Sequence, residues 1–372
     1  MSEWPTPPLN TGRATPKFLS VTFALVAFAS GSAGAARDEA PSSPEGPLGI
    51  AWEEVAGNPL LSPGSCLSWR CAAVGDPTIA RGADGRLKIW FTAMGIRVGW
   101  TGLEPVGPVV GMATGDASLE KVEVAPESAI IGVGRDGAWD RYTETPTIRP
   151  SATGSGWTMW YAGFAARADA ANPFIGIALG QADSDDREGK LWKRSATPIY
   201  RATSGAWDGR LVSGPTVLHG PDGIWRLYYS GAGTKQGVGL LTSRDGQHWI
   251  AHADNPVLEP QAGAWDEQIL EQATAYFGGR YWLWYSGYRN PLVPSTTIAI
   301  GLATSQDGIH WTKHPANPVI KPGPSGAWND LRVLAPDVIQ EADGSLLMAA
   351  YGSSRRDMGR QAGFIGFWRS RK

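Results

Sequence analysis

GAWD occupies residues 137–140 and returns at 205–208, at 263–266 and, as GAWN, at 326–329. A tetrapeptide that returns at intervals of roughly 60 residues marks a chain built from repeated supersecondary units. The same order of elements fills each interval. A short run comes first: Pro77-Thr78-Ile79, Pro146-Thr147-Ile148, Pro215-Thr216-Val217, Ala273-Thr274-Ala275 and Pro336-Asp337-Val338. A turn rich in Gly and Asp leads to an aromatic run ending in glycine, at residues 87–95 (LKIWFTAMG), 157–163, 225–231, 281–287 and 346–352. Their length and their β-branched and aromatic content predict strands. A third run follows at 110–114, 175–179, 238–242, 298–304 and 364–368.

The third strand turns through Asp245-Gly246 and Asp307-Gly308, and Trp249 and Trp311 then open a fourth. Asp-Gly between two strand-like runs is a hairpin signal. These turns resemble the sialidase Asp-box with one residue fewer between Asp and Gly, and Asp and Gly are what the turn itself demands. The last repeat stops after its third strand. Its fourth is found at the other end of the chain, where residues 52–59 (WEEVAGNP) match 249–256 (WIAHADNP) and 311–318 (WTKHPANP). The expected fold is an all-β, five-bladed β-propeller of four-stranded antiparallel blades, the last blade completed by the N-terminal strand.

Residues 18–29 (FLSVTFALVAFA) form an apolar run behind Lys17, and small residues follow, with Ala33 and Ala35 in an A-x-A pattern. The run is short for a spanning helix. The layout predicts a signal peptide over 1–36, a Pro/Ser/Glu-rich linker over 37–48 and one domain over 49–372. A secreted or periplasmic protein is expected, with no membrane association after cleavage. A net charge of −2 gives no pull towards nucleic acid, and a monomer is expected. In an exported chain Cys66 and Cys71 predict a local disulfide. His219, His248, His252, His310 and His314 show no ligand-like clustering, so neither a metal nor a cofactor is expected.

Chemistry belongs where the repeats differ. The residue directly before each Pro-Thr-like run is Asp76, Thr145, Gly214, Gln272 and Ala335, and the one before it is Gly75, Glu144, Ser213, Glu271 and Leu334. Asp76, Glu144 and Glu271 are therefore expected to gather at one mouth, with Asp337 a step inside. Glycoside cleavage needs one group to protonate the leaving oxygen and another to act as nucleophile or activate water. The Asp of GAWD recurs too regularly to be catalytic; a tryptophan wedged between blades, with the Asp bonding loop amides, is the expected role.

With these residues in view, the repeat resembles the five-bladed propeller glycosidases of glycoside hydrolase families 43, 32 and 68, and more loosely the mannoside phosphorylases of family 130. The resemblance covers 49–372 as architecture, and its most specific local element is Gly75-Asp76-Pro77, which implies a base or nucleophile at Asp76. Two departures follow. Those enzymes place an Asp before Pro in blade two, where this chain has Glu144-Thr145-Pro146. They carry a Glu-Gly-Pro acid in blade three, where this chain has Ser213-Gly214-Pro215. The resemblance thus implies an exported glycoside hydrolase or transglycosidase whose acid is Glu144 or Glu271. The alternative is a non-catalytic carbohydrate-binding or surface-interaction propeller that has lost its acid. Rim loops add Arg97, Arg167, Lys235, Arg289, Arg355, Arg356 and Arg360, with Trp100, Phe164 and Tyr288. Trp100, Arg167, Tyr288, Arg289, Asp337, Arg355 and Arg356 are the candidate contacts to an oligo- or polysaccharide, including an anionic one.

Overall fold

The computed structural model describes residues 48–65, 67–99, 102–125, 128–151, 156–165, 177–290, 295–357 and 363–370, and the side chains of 97–99 and 102–105 lie outside that description. The expected leader and most of the linker also fall outside it. The chain is all-β, with a single 3-10 turn among the described residues, and none of these forms a helix long and apolar enough to cross a membrane.

β1 (Glu53–Glu54) comes first. Four antiparallel meanders follow: β2 (Ala73–Arg81), β3 (Leu87–Gly99), β4 (Gly102–Gly115) and β5 (Val122–Val124); β6 (Tyr142–Pro150), β7 (Trp157–Phe164), β8 (Ala178–Ser184) and β9 (Lys193–Arg194); β10 (Leu211–His219), β11 (Trp225–Ala232), β12 (Gln236–Ser243) and β13 (Ile250–Ala251); β14 (Gln268–Phe277), β15 (Arg280–Tyr288), β16 (Ile298–Ser305) and β17 (Thr312–Lys313). The last unit holds β18 (Arg332–Gln340), β19 (Leu346–Ser353) and β20 (Phe364–Ser370). Ile89, Trp90 and Phe91 are consecutive and all buried, because both faces of such a sheet are covered by its neighbours. The core clusters accordingly draw on adjacent units. Trp90, Val110 and Met112 of the first pack with Ile148, Met159 and Tyr161 of the second. Ile79, Ile89 and Phe91 pack with Leu347, Ile365 and Phe367 of the last. The innermost strands touch in the order β2, β6, β10, β14, β18, and β18 also touches β2.

β1 pairs antiparallel with β20, Glu53 opposite Arg369 and Glu54 opposite Trp368. The side chains around it repeat the hairpins of the third and fourth units. Asn255 Oδ1 accepts from the Leu240 N–H at 2.8 Å and its Nδ2 donates to the Leu240 carbonyl at 3.0 Å; Asn317 does the same to Leu302. Asn58 makes both bonds to Phe367, at 3.0 and 2.8 Å. Likewise Gly246 donates to Ser243 Oγ and Gly308 to Ser305 Oγ, both at 2.9 Å, and the Gly49 N–H donates to Ser370 Oγ at 2.8 Å. A hairpin that is continuous elsewhere is here divided between residues 49 and 370. Asn58→Ala removes two bonds of about 1 kcal/mol each. A drop of roughly 2 kcal/mol in chemical denaturation is expected; an unchanged midpoint would mean that this end of the chain is not anchored.

The GAWD corners are structural, as expected, though not by the expected bonds. Trp139 stacks on Tyr161 (centroids 6.0 Å, 10°) and Trp265 on Tyr285 (5.9 Å, 24°), over glycines whose missing Cβ leaves room for the ring. The aspartates accept from tyrosine hydroxyls rather than loop amides: Asp140 from Tyr161, Asp208 from Tyr229 and Asp266 from Tyr285, at 2.7 to 2.9 Å. Where the aspartate is missing, at Arg70 and Asn329, the tyrosine is missing too, replaced by Phe91 and Ala350. The two groups pair and occur together, and Lys313 and Arg194 add their charges at Asp266 and Asp140. In the hairpins Asp245 and Asp307 accept backbone N–H groups of the same turn, which accounts for both residues without a ligand.

Candidate functional site

Each innermost strand carries a bulge at the same level. The ladder skips between Gly75 and Thr78, Glu144 and Thr147, Ser213 and Thr216, Leu270 and Gln272, and Leu334 and Asp337. The bulge residue is left-handed in every unit: Asp76 (φ 45°), Thr145 (49°), Gly214 (55°), Glu271 (37°) and Ala335 (50°). Four of these have a Cβ, and such backbone costs on the order of 1–3 kcal/mol per residue unless the surroundings enforce it. The Gly214 N–H donates to the Thr145 hydroxyl of the preceding unit at 3.2 Å, and hydroxyls on the second strands of neighbouring units cap three more bulge N–H groups: Thr92 for Thr145, Ser230 for Glu271 and Ser286 for Ala335, at 2.7 to 2.9 Å. These three hydroxyls were not among the expected site residues. Each lies opposite the residue before a bulge, which only the pairing register reveals.

The register also moves Glu271. The sequence alignment places it level with Glu144 and Ser213, because Ala273-Thr274 resembles Pro-Thr. In the structure Leu270 pairs with Ser286 and Ala273 with Trp284, so Gln272 takes the place of the proline and Glu271 that of Asp76. The first and fourth units therefore both offer a carboxylate from a left-handed bulge.

Asp76, Glu271, Thr145, Gly214 and Ala335 line a funnel, floored by the prolines, Thr147, Gln272 and Asp337. Asp76 Oδ2 and Glu271 Oε2 are buried and accept no hydrogen bond among the described residues. Burial pushes Asp76 up to about 6, against the Thr92 hydroxyl and the Thr145 N–H, which pull it down. Burial and then the charge of Asp76 push Glu144 up to about 8. Burial, Asp76 and Glu144 together drive Glu271 well above the ordinary range. Among the described residues no arginine or lysine offsets any of the three. Such a site holds one ionised and at least one protonated carboxyl near neutrality, which is the combination general acid–base chemistry requires.

The same burial makes stability depend on pH. Near pH 4 folded and unfolded chains both hold the Glu144 proton. Above about 4.5 the unfolded chain releases it while the folded one keeps it up to about 8, so folding is disfavoured progressively across that window. Glu144→Gln removes this contribution. Its melting temperature should match the wild type at pH 4.5 and exceed it by several degrees at pH 8.5. Parallel melting curves across that range would contradict the burial argument.

The remaining expected contacts divide. Asp337 reaches the floor, but its carboxylate is engaged: Oδ1 accepts from Arg149 at 2.9 Å, and Oδ2 from the Thr78 hydroxyl at 3.0 Å and the Ile79 N–H at 2.8 Å. Tyr288 is buried rather than open on the rim, packed with Leu270, Leu334 and Tyr351, and that burial and then the charge of Glu271 oppose its ionisation. Arg289 is exposed and donates to the carbonyls of Gly263 and Ala264. Arg355 and Arg356 are exposed on a 3-10 turn. Trp100, Arg167 and Arg360 lie outside the described residues, as does the side chain of Arg97. Cys71 is a buried free thiol, and Cys66, its expected partner, falls outside the described residues. Among the described residues no group of His, Cys, Asp and Glu has the arrangement of a metal site.

No protein-family model matches the chain, and no curated protein sequence matches it. Solved structures do. One described as a glycoside hydrolase superposes with a TM-score of 0.64 over 84% of this chain and 90% of its own, at 17% identity. A structure from the family 130 mannoside phosphorylases, a family described as containing glycoside hydrolases that target β-1,2 mannosidic linkages in Candida mannan, gives 0.62 over 88% and 95%, at 17% identity. A thermostable family-43 glycoside hydrolase gives 0.59 over 80% and 89%, at 16% identity. The fold is propeller glycosidase-like. At this identity the likeness is one of architecture, and the chemistry rests on the mouth of the funnel.

Proposed function

We propose that this chain is a five-bladed propeller, its last blade completed by β1, that hydrolyses or transfers a glycosidic bond at the funnel mouth. The observation that carries the activity is the carboxylate cluster itself. Among the described residues, Asp76 and Glu271 line one funnel with an unpartnered oxygen each, Glu144 stands close enough to feel the charge of Asp76, and no cation compensates them. The five bulges and the divided Gly49–Ser370 hairpin support the architecture. Solved structures of this fold titled as glycoside hydrolases support the substrate class.

In this reading Asp76, steadied by Thr92 and Thr145, is the ionised group that activates water or attacks the anomeric carbon. Glu144 or Glu271, protonated at neutral pH, gives its proton to the leaving oxygen. Sugar hydroxyls entering the funnel donate to the unpartnered oxygens. Arg355 and Arg356 on the rim suit a glycan that carries carboxylate, sulfate or phosphate, and the N-terminal segment suits export. Ser213, where the resembling enzymes carry an acid, favours a second reading, a propeller that binds glycans without cutting them. A glycan panel scored for retention and for new reducing ends separates them. Release of reducing ends supports the enzyme, retention without release supports the binder, and neither response would sink both.

A further inference from the structure

The fourth unit departs from the others in a second way. After the bulge residue the other innermost strands place Pro77, Pro146, Pro215 and Pro336, whereas β14 places Gln272. Proline has no N–H and a hydrocarbon ring, so it can hold nothing beyond its own strand. Gln272 reaches across to the third unit. Its Nε2 donates to the Gly214 carbonyl at 2.5 Å and the Tyr228 carbonyl at 3.3 Å, and its Oε1 accepts from the Ser230 hydroxyl at 3.2 Å. The same hydroxyl oxygen accepts the Glu271 N–H at 2.7 Å. The backbone of Glu271 is thus fastened to its neighbour at both of these residues.

Its side chain continues in the same direction. A Cβ on Gly214 would stand 3.2 Å from Glu271 Cγ and 3.3 Å from its Cα. The bare bulge of the third unit is therefore the surface over which the Glu271 side chain lies. That unit, Ser213-Gly214-Pro215, has no carboxylate of its own here, as the last unit, Leu334-Ala335-Pro336, has none. We infer that Glu271 is the carboxyl partner of Asp76, and that Gly214 and Gln272 are positioning residues that let the fourth unit deliver this group across the third. Glu144 is not on the funnel lining, whereas Asp76 and Glu271 both are. Glu144 then acts on Asp76 through its charge. The inference rests on the glycoside-cleaving reading for its consequence, though not for its geometry.

Two variants test it without asking the backbone for anything new, since Ala335 and Thr145 already occupy the equivalent left-handed position. Gly214→Ala should lower kcat about 10-fold and Gly214→Thr about 100-fold, because displacing a catalytic group by about 1 Å costs on that order. KM should be nearly unchanged, and the alkaline limb of the kcat profile should move. Adding Glu271→Asp to Gly214→Ala shortens the crowded side chain and should restore part of kcat. Gln272→Pro, which installs the residue of the other four units, should lower kcat and move the same limb. A readout independent of turnover is the carboxyl titration of protein labelled with ¹³C at glutamate Cδ. The Glu271 midpoint should shift in Gly214→Thr while the Glu144 midpoint stays. Unchanged kcat, pH profile and Glu271 midpoint in Gly214→Thr would overturn the inference. If the wild type cleaves no glycan and the Glu271 midpoint still shifts, the placement stands and the glycosidase reading is what fails.

Discussion

Asp76→Asn is expected to abolish turnover and to raise the melting temperature at pH 7 and above. The first effect follows from the proposed role. Asn matches Asp in shape, and its carbonyl oxygen can still accept from the Thr92 hydroxyl and the Thr145 N–H. It can neither take a proton from water nor attack a carbon. Loss of a positioned acid or base costs about 10²–10⁴ in rate. The second effect follows from burial. Asp76 is 6% exposed and, among the described residues, carries one unpartnered oxygen and lies beside two further carboxylates without a compensating cation. Its folded-state pKa of about 6 stands against an ordinary 3.8, so ionisation opposes folding from pH 4 upwards and does so in full above pH 6. A neutral amide removes that opposition, and each pK unit corresponds to about 1.4 kcal/mol before solvent screening. Initial rates and calorimetry at pH 5 and pH 7.5 check both halves. A wild-type rate refutes the catalytic role, and a lower melting temperature at pH 7.5 refutes the uncompensated charge. A purely structural aspartate would lose stability on the same change, so the two readings differ in sign.

The features legible in sequence are those whose cause is local. A GAWD corner needs its tryptophan over a glycine and its aspartate on a tyrosine, and all of these sit at fixed distances inside one repeat. The Asn-Pro tail at residue 58 was found because its bonding partners repeat with it. Gly49, the other half of the same junction, was not, since the hairpin it completes is divided between residues 49 and 370 and no window of sequence contains both. Glu271 was placed one residue out of register for a physical reason. The bulge in β14 absorbs a residue without a proline to mark it, and Ala273-Thr274 offers a false match one step along. The break in the Pro pattern at Gln272 was itself the usable signal. Tyr288 shows a different limit: an aromatic residue at the end of β15, expected on the rim, is buried against Leu270 and Leu334. Nothing in its immediate neighbours in sequence distinguishes the two.

Arg149→Met should cost the fold about 3–5 kcal/mol, the usual penalty for stranding one member of a buried ion pair. Arg149 donates to both oxygens of Asp337, at 2.9 and 3.4 Å, and Asp337 is 4% exposed. Without the guanidinium that charge would rest on the Thr78 hydroxyl and the Ile79 N–H alone. The site matters because of what it joins. Asp337 belongs to the last unit, Thr78 and Ile79 to the first and Arg149 to the second, so one carboxylate ties the two ends of the repeat series to the unit that follows. Asp337 also stands where the first three units carry Thr78, Thr147 and Thr216. The double variant Arg149→Met with Asp337→Thr therefore returns the position to the residue of the first three units and removes both charges together. Replacing a buried pair by neutral groups is often neutral or stabilising, so the double variant should recover most of the loss. A double-mutant cycle by denaturant unfolding reads the coupling directly. If Arg149→Met is neutral, or if the two changes add without recovery, the pair does not hold the first and last units together. The contact between the first and last units would then rest on the apolar packing of Ile79 and Phe91 against Leu347 and Phe367.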